Sequence, residues 1–186
     1  VAWIKDYFAK NGDENTKALI GISGGKDSTV VAAACVAALG KDRVVGVMMP
    51  NGVQTDINDS KRVCEFLGIK NYEVNIKGAY DALTQEITAK TAGEATPQFK
   101  TNTPSRLRMA TLYGVAAIIG NCRISNNGNK SERLMGYFTI WGDGAGDFAP
   151  LANLYVSDVV RLGIELGWPE DFVKKAPSDG MCGKTN

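Results

Sequence analysis

Short apolar runs alternate with helical patterns along this chain, and that alternation leaves few folds open. Residues 18–22 and 44–49 read as buried strands, the second stopped by Pro50. Residues 72–76 and 123–125 read as two more. Between them lie helical stretches over 29–39 (closed by Gly40), 56–67 (capped by Thr55, closed by Gly68), 79–89 and 104–119. Outside them, 3–10 reads as the end of an amphipathic helix, Ser131 opens a short one, and Ser157 caps a last helix to Leu166. Residues 90–101 read as a polar loop, with Pro104 opening the long helix, and 136–150 as a glycine-rich irregular stretch. Strand and helix in turn at this spacing predict βαβ units: an α/β fold, a doubly wound parallel sheet with helices on both faces. Ligands of such sheets sit beyond the carboxyl ends of the strands.

The segment at the end of the first strand fits that position. Ser23-Gly24-Gly25-Lys26-Asp27-Ser28 joins strand to helix, with Asp27 and Ser28 as expected helix caps. A glycine pair there lets backbone N–H groups approach an anion, and the helix end adds its positive dipole. Ser23 and Ser28 add hydroxyl donors. Asp27 would repel a phosphate unless a cation lay between, which argues for Mg²⁺. A Walker A loop is excluded, because Lys26 is followed by Asp27 and Ile20 stands where its first glycine should be. Gly21-Ile22-Ser23-Gly24-Gly25 also matches a nucleophile elbow, and a purely structural glycine turn is a third reading.

The chain of 186 residues contains no histidine. That removes the usual base of a serine nucleophile, and with it His-ligated zinc. A net charge of +1 gives no basic excess for nucleic acid. The apolar runs fall short of the roughly 20 residues that a membrane span needs. Cys35, Cys64, Cys122 and Cys182 are far apart and form no CxxC pair, as expected of idle thiols in a reducing cytoplasm.

The SGGxDS pattern after the first strand resembles the signature of the N-type ATP pyrophosphatases. Later blocks narrow the resemblance. Asn102-Thr103-Pro104-Ser105-Arg106-Leu107-Arg108-Met109 comes first, followed by Asn127-Gly128-Asn129-Lys130-Ser131-Glu132. Gly136-Tyr137-Phe138-Thr139, Gly142-Asp143-Gly144-Ala145-Gly146-Asp147 and Lys175-Ala176-Pro177-Ser178 complete the set. In this order they resemble the blocks of the NAD synthetases.

The resemblance implies an adenine nucleotide alpha-hydrolase-like, Rossmann-like fold over a single domain, 1–186, whose family chain runs past Asn186 with a tail that helps close the site. It implies ATP as co-substrate, held by Gly21, Ile22, Ser23, Gly24, Gly25, Lys26, Asp27 and Ser28 with Gln54, Asn127 and Ser178. Asp27 and Glu132 would hold Mg²⁺. Arg106 and Asp147 would contact deamido-NAD. Asp143 is the expected acceptor of the proton that ammonium must lose, a reading that the resemblance does not itself supply. On the residues alone, Arg106 and Arg108 also read as solvated helix charges, Glu132 as a plain helix residue and 142–147 as a flexible turn. The implied reaction is ammonia-dependent amidation of deamido-NAD by a cytoplasmic homodimer, without nucleic acid or membrane. No separate glutaminase domain fits within 186 residues, so free ammonia is the expected nitrogen source. Another amidating or RNA-modifying member of the pyrophosphatase group, or a non-catalytic nucleotide-binding module, are the alternatives. Two positions depart from the pattern: Ile140 and Val156 stand where some family members have lysines facing deamido-NAD and ATP. Lys26, Lys130 and Lys184 are the candidate replacements.

Overall fold

The computed structural model describes residues 1–54 and 57–169. Four strands, β1 (Lys17–Gly21), β2 (Val44–Met48), β3 (Lys70–Glu73) and β4 (Cys122–Ile124), form one sheet in the order β3-β2-β1-β4. All pairings are parallel, with Leu19 opposite both Val45 and Ile124. Consecutive side chains of a strand point to opposite faces, so the inner strands must be apolar throughout. All five residues of β2 are buried, as are Ala18, Leu19 and Ile20 of β1.

Helices cover both faces, as the alternation predicts. Ala18, Ile20 and Val44 pack against α1 (Ala2–Asn11), α2 (Lys26–Leu39), α3 (Ile57–Leu67) and α7 (Val156–Glu165), through residues such as Phe8, Val30, Val63 and Val159. Leu19, Val45, Val47 and Ile124 meet Met109 and Leu112 of α5 (Pro97–Ile119) on the other face. α4 (Lys77–Thr91) lies against α5, with Tyr80 and Phe99 ring centroids 6.2 Å apart. α2 is built for burial between layers: every residue from Ser28 to Cys35 is buried, and most are Ala or Val.

Several boundaries differ from the sequence expectation. α2 starts at Lys26 with Gly25 as its N-cap and no side-chain cap, so Asp27 and Ser28 lie inside the first turn. α5 starts at Pro97, not Pro104. The Thr96 hydroxyl accepts from the Phe99 N–H at 3.1 Å and Pro97 takes the first helical position, a start signal that needs no donor from proline. Pro104 is buried inside the helix. β3 covers Lys70–Glu73, earlier than the apolar stretch 72–76, because Val74 and Ile76 already donate to Met48 and Pro50 carbonyls in the turn toward α4. α7 follows Tyr155, whose N–H donates to Asp158 Oδ2 at 3.0 Å, so Ser157 is not its cap. Thr55 lies outside the described residues.

Candidate active site

β2 and β4 flank β1 on opposite sides, so the chain winds in opposite directions from β1 and leaves a crevice at the carboxyl ends of β1 and β4. The glycine loop follows β1 into that crevice. Ile22 donates to the Val47 carbonyl and Gly25 N–H to Ser23 Oγ at 3.2 Å. Ser23 Oγ and Ser28 Oγ lie 3.1 Å apart, and Ser28 Oγ donates to the Gly25 carbonyl at 3.1 Å. The two hydroxyls thus hold the loop's shape, a use that the donor expectation did not include. Gly24 is at φ +76°, and a Cβ there would come within 3.0 Å of the Ser60 backbone nitrogen on α3. The loop therefore needs glycine on both conformational and steric grounds.

The second half of the site comes from the turn after β4. Asn127 Nδ2 donates to the Gly21 carbonyl at 3.0 Å, and its Oδ1 accepts from Ser125 Oγ at 2.8 Å, tying the two strand ends together. Asn129 caps α6 (Lys130–Met135) in a reciprocal box. Its Oδ1 accepts from Glu132 N–H, and its own N–H donates to Glu132 Oε2, both at 3.0 Å. Its Nδ2 donates to Asp27 Oδ1 at 3.0 Å. One fully buried asparagine therefore links the two expected metal-binding carboxylates. Sequence reasoning gave Asn129 no role, although the Asn-x-x-Glu capping pattern was there to be read.

Lys26 Nζ lies 2.9 Å from Asp27 Oδ2, and both side chains are largely buried. Burial raises the Glu132 carboxyl above its ordinary pKa. The nearby Asp27 and Asp143 charges push it the same way, against the Asn129 hydrogen bond and the Lys26 charge. Glu132 and Asp143 also line one small cavity of about 50 Å³, with Asn126, Gly128, Arg133, Phe138 and Gly144. A larger cavity of about 300 Å³, lined by Lys5, Phe8, Asp13 and Arg43 among others, lies at the amino ends of the strands, away from this chemistry.

Asp143 is anchored to α5: its Oδ1 accepts from Ser105 Oγ at 2.7 Å and from Thr139 N–H at 2.9 Å. Residues 142–147 are thus held by side chains, where a flexible turn was one reading. Arg106 Nε donates to the Ile140 carbonyl at 3.1 Å on the exposed side of the same turn. Asp147 is engaged under β4, accepting from Ile124 N–H at 2.8 Å and Tyr113 hydroxyl at 3.2 Å. Gln54 sits in the loop after β2, its carbonyl accepting from Ile57 N–H. Ile140 is 60% exposed, and Val156 N–H donates to Ser131 Oγ at 3.3 Å. Lys130 Nζ lies 4.4 Å from the Tyr155 ring centroid. Ser178 and Lys184 lie outside the described residues.

Among the described residues no group of three or more acidic, thiol or imidazole side chains could hold a metal alone. Two carboxylates beside a glycine loop nevertheless suit Mg²⁺, whose shell phosphate oxygens and water would complete.

A parallel sheet with a glycine loop and paired carboxylates at its switch-point crevice defines a nucleotide-binding α/β protein. The NAD synthase family model matches residues 1–185, and the chain belongs to that family. It is 41% identical over 178 residues to the NH(3)-dependent NAD(+) synthetase of Pyrococcus horikoshii, covering 96% of this chain and 66% of that one. The chain thus spans about two thirds of that relative's length. NMN synthetase from Francisella tularensis superposes with a TM-score of 0.86 at 36% identity, over 100% of this chain and 75% of that chain. The NH3-dependent NAD synthetase from Campylobacter jejuni, in complex with nitrate ion, gives 0.82 at 32% identity, over 94% and 73%. The fold is the adenine nucleotide alpha-hydrolase type of these neighbours.

Proposed function

We propose that this chain is a carbon–nitrogen ligase that amidates deamido-NAD to NAD with ammonia and ATP. The observation that carries the reading is the joining of Asp27 to Glu132 through Asn129, beside the glycine loop. The nicotinate carboxylate attacks the α-phosphorus of ATP; its bond to the bridging oxygen breaks and pyrophosphate leaves. Ammonia then attacks the acyl carbon, AMP departs and a proton is lost. The first step needs no general base, since the attacking carboxylate is already ionised.

The chain's own residues bind and orient. Backbone N–H groups around Gly24 and the α2 end would take the phosphates, with Asn127 and Gln54 on the same side. Asp27 and Glu132 would hold Mg²⁺, which neutralises phosphate charge and stabilises the departing pyrophosphate. Arg106 and Asp147 would receive deamido-NAD. Asp143 is the proton acceptor of this scheme, because it lines the same small cavity as Glu132 and that cavity can admit a water-sized molecule. Much of the acceleration then comes from holding two large substrates in line.

A second reading keeps the chemistry and shortens the acceptor: amidation of the mononucleotide to NMN. The Francisella tularensis NMN synthetase favours it, and so does Ile140, since an acceptor with one phosphate fewer needs one lysine fewer. The protein would act as a homodimer. None of the 15 residues of α4 is buried, and Leu83, Ile87 and Ile118 stay exposed on the α4/α5 side, where a second copy would cover them. Free Cys35, Cys64 and Cys122 suit a reducing cytoplasm, and no helix among the described residues is long and apolar enough to cross a membrane.

The test is an acceptor comparison. Protein with ATP, Mg²⁺ and ammonium is given deamido-NAD or nicotinate mononucleotide, and AMP and pyrophosphate are measured. AMP release driven by deamido-NAD is expected; release driven only by the mononucleotide selects the second reading. Formation of ADP and phosphate defeats both.

A further inference from the structure

Lys26 occupies an unfavourable position for a lysine. It is the first residue of α2, where the helix dipole repels cations. Its side chain is only 9% exposed, although lysines are seldom buried unless paired. The pairing is with Asp27: Nζ donates to Oδ2 at 2.9 Å, while Asn129 Nδ2 holds Oδ1 at 3.0 Å. Each oxygen of the carboxylate that should bind metal therefore already accepts one donor, and a cation on Oδ2 would have to share it with the ammonium. A divalent cation must approach such an oxygen to about 2.1 Å. An ammonium bonded to the same oxygen would then face a double positive charge at close range in a poorly screened site. That repulsion favours departure of the ammonium as the cation arrives.

Its destination follows from the surrounding charges. Ile140 and Val156 stand where some family members have lysines, and Lys130 rests over the Tyr155 ring. Lys26 is rooted in the phosphate loop itself, on a four-carbon stem that can swing without backbone movement.

We propose that the Lys26 ammonium is a tethered cation that keeps the metal's place on Asp27 until a divalent cation displaces it, and that it then turns its charge onto the nucleotide phosphates. The first half stands on the ion-pair geometry alone. The second rests on the ATP reading given above. Charge at the site is thereby kept balanced in both states, and metal binds well only when phosphates are present to receive the lysine.

Mn²⁺ binding to the nucleotide-free protein, followed by electron paramagnetic resonance, tests the first half without any reaction. Lys26→Gln and Lys26→Met should bind Mn²⁺ about ten-fold more tightly than the wild type, a change readily resolved in a titration. Lys26→Arg, which keeps the charge, should leave the affinity weak. Adding Asp27→Asn to Lys26→Gln should erase the gain. Equal Mn²⁺ affinity in the wild type and both neutral variants overturns the proposal, as does a gain that survives Asp27→Asn. Melting curves establish that each variant is folded, and two neutral replacements of different polarity guard against a local packing effect. For the second half, ATP binding in the presence of Mg²⁺ is measured by calorimetry. It should weaken about ten-fold in Lys26→Met and recover in Lys26→Arg. Unchanged ATP affinity in Lys26→Met refutes that half. If no acceptor drives AMP release, the ligase reading fails while both binding measurements still decide the role of Lys26.

Discussion

At the scale of single residues, Asn129 joins Asp27 to Glu132 through three hydrogen bonds. On the sequence, Asp27 beside two glycines argues for a cation, and the resemblance pairs Glu132 with it. Asn129 went unread because capping looks like a local duty, while its second bond reaches Asp27 across 102 residues. Glu132 carries a prediction of its own. Burial chiefly raises its folded pKa above that of an ordinary carboxyl, so the native state holds that proton more tightly than the unfolded chain. Stability contributed by the protonated form is present below the unfolded pKa and is lost as pH rises through the folded one. Glu132→Gln keeps an oxygen for the Asn129 N–H and drops the charge. Its melting temperature should exceed that of the wild type at neutral pH, with the gap closing in acid, while AMP release is abolished. Melting curves across pH, read beside the activity, check both parts.

At the scale of elements, helix starts decided what could be read. α6 begins with an Asn-x-x-Glu box and α5 with Thr96-Pro97, both local patterns. Reading Pro104 as the start of α5 gave a breaker precedence over a cap. The structure resolves that conflict by burying Pro104 eight positions into a long helix whose packing on the sheet outweighs one lost hydrogen bond. β3 was misplaced because an edge strand has little apolar pattern of its own; its four residues are mostly exposed. The α6 cap allows a separation of roles. Asn129→Asp preserves a good N-cap acceptor yet replaces the amide donor to Asp27 with a third carboxylate. It should destabilise the fold by more than the loss of a neutral partner would, about 1–3 kcal/mol, because a fully buried carboxylate is added beside Asp27 and Glu132, and ATP affinity should fall as well. Denaturant unfolding and calorimetry on the same sample would separate the two effects.

At the scale of the whole molecule, the alternation predicted the class of fold, but strand order lies in pairings between distant segments and left no local mark. The two apolar cores lie on either side of β1, and Leu19 is fully buried on the α5 side. Leu19→Ala should cost about 2–5 kcal/mol of stability, measurable by urea unfolding. The Asn127 bond to the Gly21 carbonyl has a kinetic meaning beyond tying two strand ends together. It closes a span of 106 residues, so the glycine loop can be complete on its strand long before the carboxylate pair exists. During refolding, phosphate affinity should therefore be gained in a late step, after β4 docks beside β1. On the proposed reading, a nascent chain that has not yet made β4 would carry the loop without the carboxylate pair, and so could not yet consume ATP.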